Sequence, residues 1–308
     1  MFRLHLIPYG TKFDFVGKTR YILTIVSILI LTFLGFFVVK GLNYGIDFQG
    51  GYIFEVKMPE IPNIESLRSS LGNLGIGEVA IQQFGNLDDL SIKVERSEEG
   101  ENQTIAVNKV KNALGEGVIY KRIETVGPKV GAELVSNAIK AVIFALIAML
   151  CYIAVRFEWQ FGICAVVALL HDCIVMFGLF SIFPMEFNEM SITAILLTAS
   201  YSINDTVVIF DRIRENLGRY KSMPLKDLIN KSLNETLSRT TLTATTTLLA
   251  ILALYLFGGK VIAAFSLPIL IGIVIGTFSS IFIACPLLTF LDIKPKKRKD
   301  GKEPANIA

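Results

Sequence analysis

The sequence predicts an α-helical polytopic membrane protein: six transmembrane helices, with a ferredoxin-like βαββαβ domain inserted between the first and the second. Three observations carry that reading. The chain has 308 residues, 52% of them hydrophobic, with a mean hydropathy of +0.56, more apolar than a soluble domain of this size needs to fill one core. Six apolar runs approach or exceed the ~20 residues needed to cross a bilayer's hydrocarbon core. Between the first two runs lies a polar stretch whose hydrophobic period switches repeatedly between two and about 3.6.

In chain order, residues 1–20 form a short N-terminus and 21–40 the first span, which is too long and too poor in a small-residue cleavage site for a removable signal peptide. In the inserted domain, 41–132, GYIFEVKM alternates like a strand, and NIESLRSSLGNLG has helical spacing with a glycine stop. EVAIQQF and LSIKVE read as strands, QTIAVNKVKNALG as a helix and VIYKRIETV as a closing strand. The order β-α-β-β-α-β allows both helices to pack on one face of a four-stranded antiparallel sheet. NLDD is a turn and ERSEEGENQ a solvated loop. The domain holds no His, no Cys and no convergent carboxylates, so it reads as a protein-contact domain. The region 133–290 carries the other spans, at 134–155, 161–183, 190–210, 241–257 and 262–290, with a loop at 211–239 and a basic tail at 291–308.

Charge orients these spans. With both termini in the cytoplasm, the inside segments hold 18 Lys and Arg, and the two short outside loops hold only Lys260. The tail KPKKRK is an orientation signal and an anchor to anionic membrane lipids, in preference to a nucleic-acid site.

Several motifs fail on inspection. Gly17-Lys18-Thr19 ends like a phosphate loop, but Lys12 stands where the first glycine is required. Neither the GxGD motif of an intramembrane aspartyl protease nor an activated serine is present. Cys151, Cys164, Cys173 and Cys285 lie in apolar runs without a CxxC pair and read as packing residues, and no metal site is expected. His171-Asp172 in the third span reads as a polar pair inside the bundle, a candidate secondary relay.

The fourth span poses the main question, because it carries Asn204 and Asp205 in an apolar helix, where an ionised Asp costs about 2.5 to 3.5 kcal/mol to insert. Arg239 sits at the mouth of the fifth span, followed by six threonines between 240 and 247, among them Thr243 and Thr246. That density favours a polar helix face, although threonine can also bond back to its own helix. Asp205 lies seven residues inside Arg212, roughly 10 Å, within plausible reach of the Arg239 side chain. A carboxylate whose proton affinity depends on the approach of an arginine can couple proton passage to helix movement. Gly272 and Gly276 in the sixth span form a small-residue stripe for close helix packing. GIDFQGG, with Gly45, Asp47, Gly50 and Gly51, reads as a tight structural turn or as a contact with a partner subunit.

GIDFQGG, VGPKVGAEL (126–134), YSINDTVVIFDRIRE in the fourth span and LSRTTLTATTTLLA in the fifth, in this order and spacing, resemble the signatures of the SecD/SecF family of the resistance-nodulation-division superfamily. The resemblance implies a non-enzymatic accessory subunit of the Sec translocase in the bacterial cytoplasmic (inner) membrane, with domain 41–132 periplasmic. It implies SecD as partner, the SecYEG channel, YajC and YidC as further associates, and preproteins as substrates. It maps the family's proton-coupling Asp and Arg onto Asp205 and Arg239, with protons as the coupling ion and no other cofactor. Asn204, Thr243, Thr246, His171 and Asp172 are the supporting polar groups. The alternatives are a proton-driven exporter of small molecules or lipids from the same superfamily, and a scaffold in which Asp205 and Arg239 lock two helices.

Overall fold

In a computed structural model, residues 11–77, 79–83, 86–95, 103–183, 185–291 and 293 are described. The N-terminal ten residues, most of the acidic stretch expected as a solvated loop and the basic tail from 294 lie outside them. The chain divides into two compact units: Tyr44–Ala141 with Glu186–Glu189, and the remainder.

The first unit follows from strand alternation. In β1 (Gly51–Lys57), Tyr52, Phe54 and Val56 are buried on one face. Asn63 accepts hydrogen bonds from the Glu65 and Ser66 amides and so starts α3 (Ile64–Gly72). Strands β2 (Val79–Gln83) and β3 (Asp89–Glu95), helix α4 (Gln103–Leu114) and β4 (Ile119–Val126) complete the series, preceded by one short helical turn, α2 (Ile46–Gln49). The sheet order is β2-β3-β1-β4, antiparallel throughout, with Phe54 opposite Ile92 and Ile123. Leu71 of α3 and Ala106, Val110 and Leu114 of α4 share one core with Phe54, Ile81, Leu90 and Ile92, so both helices cover the same face. This is the ferredoxin-like arrangement expected from the sequence.

In the other unit, α1 (Thr19–Lys40), α6 (Trp159–Ile182), α7 (Glu189–Arg219), α8 (Leu225–Phe257) and α9 (Gly259–Ser279) join α5 (Pro128–Arg156), whose first turns belong to the sheet unit. Among the described residues, six helical segments, including the whole run Ile262–Phe290, are long and apolar enough to cross a membrane. About half of α6, α7 and the last segment is buried, against 6 to 11% of α1, α5 and α8, so the first three form the centre of the unit. Gly272 and Gly276 of α9 meet Thr198 and Ser202 of α7; a Cβ on Gly276 would stand 2.9 Å from that of Ser202. After Ser279 the helix widens into a π turn, Ser280–Ala284. Pro286 supplies the cause: it cannot donate to the carbonyl four residues back and its ring crowds it.

The segment 211–239, expected as a loop, is helical except for residues 220–224. Ile213, Leu228, Ile229 and Leu233 are buried beneath its charges, so an amphipathic pattern was hidden by a high density of Lys, Arg and Glu. Arg212 donates to Glu235 at 2.7 Å, and Asn216 donates to Glu235 and Ser232 at 2.7 and 2.9 Å, which pins the end of α7 to the start of α8. The chain before α1 also binds α8. The Phe15 and Val16 amides donate to Asn230 Oδ1 at 2.9 and 3.1 Å, Asn230 Nδ2 donates to Asp14 at 2.7 Å, and Asn234 exchanges two hydrogen bonds with the Phe13 backbone.

Candidate functional site in the membrane unit

On a helix, residues three and four apart share a face. Along α7, Thr198, Tyr201, Ser202, Asp205 and Thr206 keep that spacing and form one polar stripe in an apolar helix. Asp205 stands out in the sequence as a charge in an apolar run, whereas the stripe is marked there only by its period. Asn204, one residue away and so about 100° around the helix, is exposed and does not join Asp205.

The stripe meets two different environments. Towards α6 and α9, Asp172 is 1% exposed and fully engaged. Its Oδ1 pairs with His171 Nδ1 at 2.9 Å, and its Oδ2 accepts from Ser202 Oγ at 2.5 Å and from Ser279 Oγ at 2.8 Å. Ser280 continues the seam, donating to the Ser202 carbonyl at 3.0 Å and sharing a hydrogen bond with Thr206 at 2.8 Å. Two successive serines serve this seam at the point where the α pitch gives way to the π turn. The His171-Asp172 pair of the sequence reading is therefore a three-helix junction joining α6, α7 and α9.

Asp205 is equally deep, 2% exposed, but its Oδ2 has no hydrogen-bond partner. The buried hydroxyls of Thr198 and Thr240 are likewise unbonded. Thr277 and Arg239 are the neighbours that act on the Asp205 carboxylate, and the Tyr201 hydroxyl lies beside Thr247, Thr277 and Asp205. Leaving a buried polar atom unpaired costs about 1 to 3 kcal/mol, so this group of unmade bonds on α7 and α8 departs from the packing around it. The Asp205–Arg239 pairing considered from sequence is electrostatic in this structure: among the described residues no ion pair joins the two, and Arg239 is exposed.

The threonines of α8 resolve differently from the polar face expected. Thr243 donates to the Arg239 carbonyl at 2.6 Å, Thr246 to Leu242 at 2.9 Å and Thr247 to Thr243 at 2.9 Å. Their hydroxyls are satisfied within their own helix. Thr243 and Thr246 are exposed, and among the described residues no group of His, Cys, Asp and Glu is arranged to hold a metal ion.

In the sheet unit, the motif glycines have local reasons. Gly50 and Gly51 have φ of 76° and 148°, in the region that favours glycine, and a Cβ on Gly45 would stand 3.1 Å from that of Asn188. Asp47 is half-buried beside the loop Glu186–Glu189.

Six membrane-length helices, an ionisable centre and an inserted ferredoxin-like domain define a multi-pass membrane protein of transporter type. The chain belongs to the SecD/SecF family of protein-export membrane proteins: the family's C-terminal region matches residues 106–294 and its GG motif matches residues 35–58. It is similar to the protein translocase subunit SecF of Rickettsia rickettsii, with 44% identity over 97% of this chain and 98% of that one. SecF of Rickettsia bellii is 44% identical over 94% and 96% of the two chains. Among solved structures, SecDF of Thermus thermophilus, described as a translocon-associated membrane protein, superposes with a TM-score of 0.82 and 35% identity over 91% of this chain. A SecDF structure in a super-membrane-facing form gives 0.70 and 34% over 94%. The chain spans 39 and 40% of those two longer SecDF chains.

Proposed function

We propose that this chain is the accessory subunit of the Sec protein translocase that, paired with SecD, uses the proton-motive force to promote preprotein translocation and release. The observation that carries the reading is Asp205, a buried carboxylate with an oxygen left unbonded, in a family named for protein export. Asp172 of α6 holds α7 and α9 to its own helix by accepting from Ser202 and Ser279, and serves as the static frame. Helix α8 is little buried, and three of its hydroxyls bond to their own helix, so it can shift without breaking interhelical hydrogen bonds there. A proton on Asp205 removes the charge that attracts Arg239, and α8 is then released relative to α7. Tyr201, Thr240 and Thr277 supply hydroxyls for a proton-carrying chain. Each proton brings about 2.3 kcal/mol per 100 mV, enough for one conformational step.

In this reading both termini are cytoplasmic, the inserted domain is periplasmic in the inner membrane, and protons are the coupling ion. SecYEG is the channel served, with YajC and YidC as further associates, and the chain does no covalent chemistry. The small-molecule or lipid exporter is not favoured, because the relatives are named for protein translocation. The test is preprotein release in membrane vesicles with and without a proton gradient. Asp205→Asn is expected to assemble with SecD and lose the gradient-dependent part of release; full stimulation in the variant would remove Asp205 from the mechanism.

A further inference from the structure

We propose that the GIDFQGG segment is a pH-responsive clamp on the loop Glu186–Glu189 within the sheet unit, with Asp47 as its switch; its role in export rests on the function proposed above. The clamp is visible as contacts. The Gly45 amide donates to the Phe187 carbonyl at 2.9 Å, and Tyr44 and Phe187 form an isolated parallel bridge. The Phe187 ring lies 6.1 Å from that of Tyr44 and 5.9 Å from that of Phe48. Lys93 of β3 forms an ion pair with Glu186. From the other side, a Cβ on Gly131 would stand 3.1 and 3.3 Å from the Phe48 and Asp47 carbonyl oxygens, so α5 backs the segment closely. Residues 186–189 accordingly group with the sheet unit, and Glu189 is also the first residue of α7.

Asp47 sits at the junction. Its carboxylate accepts the backbone N–H of Glu189, the first residue of α7, and it faces Glu124 of β4 and Glu186 of the loop, with Lys93 as the countercharge. Burial first, then Glu124, holds its pKa above the ordinary aspartate value. The sign follows from linkage. A raised carboxyl favours the closed arrangement when protonated, so the stabilisation is full below the ordinary aspartate range and is lost as pH rises through the raised value. A protonated Asp47 keeps a carbonyl oxygen for the Glu189 amide and no longer repels Glu124 and Glu186. Acid on the outer face therefore closes the clamp, and a more alkaline outer face loosens it.

The test is amide hydrogen exchange of the segment 186–192 in the full chain purified with its SecD partner, across a pH series corrected for intrinsic exchange. In the parent, protection should fall as pH rises. Asp47→Asn, which keeps the acceptor and lacks the charge, should stay protected at every pH; Asp47→Ala should exchange roughly fivefold faster at every pH, as for a lost helix cap. Phe187→Ala gives a second route to the open state that leaves Asp47 in place. Superposition of the parent and Asp47→Asn profiles, or an Asp47→Ala profile equal to the parent's, would overturn the clamp. Exchange is read without any secretion assay, so a failure of the export reading would show separately, as a parent chain that gives no gradient-driven release.

Discussion

Asp172 and Asp205 are the same residue type in adjacent apolar helices, and their neighbours give them opposite roles. Asp172 collects His171, Ser202 and Ser279, whereas Asp205 Oδ2 collects no donor. Replacing Asp172 by Ala leaves those three groups without their acceptor, and we expect it to lower stability by about 1 to 3 kcal/mol. Asp205→Asn removes no hydrogen bond at Oδ2 and should leave stability within about 0.5 kcal/mol of the parent. Thermal unfolding in detergent separates the two, and equal losses would mean that both aspartates are structural. Both carboxylates were legible in the sequence because a charge in an apolar run stands out. Their partners were not, since serine and threonine occur in membrane helices for many reasons, and Ser279 and Ser280 stand where the α pitch gives way to the π turn. Asn204 shows the converse, as adjacency to Asp205 in sequence places it on another face.

At the scale of elements, the spans and the βαββαβ order were readable from period and length, because apolar runs and strand alternation are strong signals. What escaped was structure made by polar residues. The stretch 211–239 carries enough charge to look like a loop, yet its apolar residues recur at helical spacing. The strap before α1 gave no periodic signal at all, because it depends on Asn230 and Asn234 lying one turn apart on a distant helix and presenting amides to an extended backbone. Phe15 completes it by inserting edge-on against Phe282, at 5.7 Å, beside the π turn. The strap thus anchors α8 on the side of Arg239 opposite the threonines. Asn230→Ala breaks bonds to two backbone amides and to Asp14, an expected loss of about 1 to 3 kcal/mol in the folded chain. The sharper readout is limited proteolysis near residue 13, which should be accelerated in Asn230→Ala and unchanged in a Lys231→Ala control; equal cleavage of both would show that the strap is held by Phe15 alone.

At the scale of the whole molecule, exposure divides the membrane-length helices into two groups. Helices α6 and α7 and the segment Ile262–Phe290 are about half buried, while α1, α5 and α8 are little buried, and the solved SecDF chains that this chain resembles are more than twice as long. Two kinds of exposed surface are then distinguishable. Val155, in the apolar run of α5, is 91% exposed and carries no polar group, which suits lipid. Arg239, Thr243 and Thr246 are exposed on α8, with the guanidinium at the mouth of the span, where facing hydrocarbon is costly although less so than at the bilayer centre. The threonines can tolerate lipid because their hydroxyls are bonded at home, but the arginine gains from a polar partner surface. The face of α8 is therefore where the second half of the assembly should lie. In a chain lacking its four native cysteines, Thr243→Cys, Thr246→Cys and Val155→Cys should all react with a lipid-soluble maleimide when the chain is made alone. With SecD co-expressed, the first two should lose reactivity severalfold and Val155→Cys should keep it. Protection of Val155→Cys in place of the threonine positions would move the partner to α5 and leave Arg239 to reach the membrane surface by its own length.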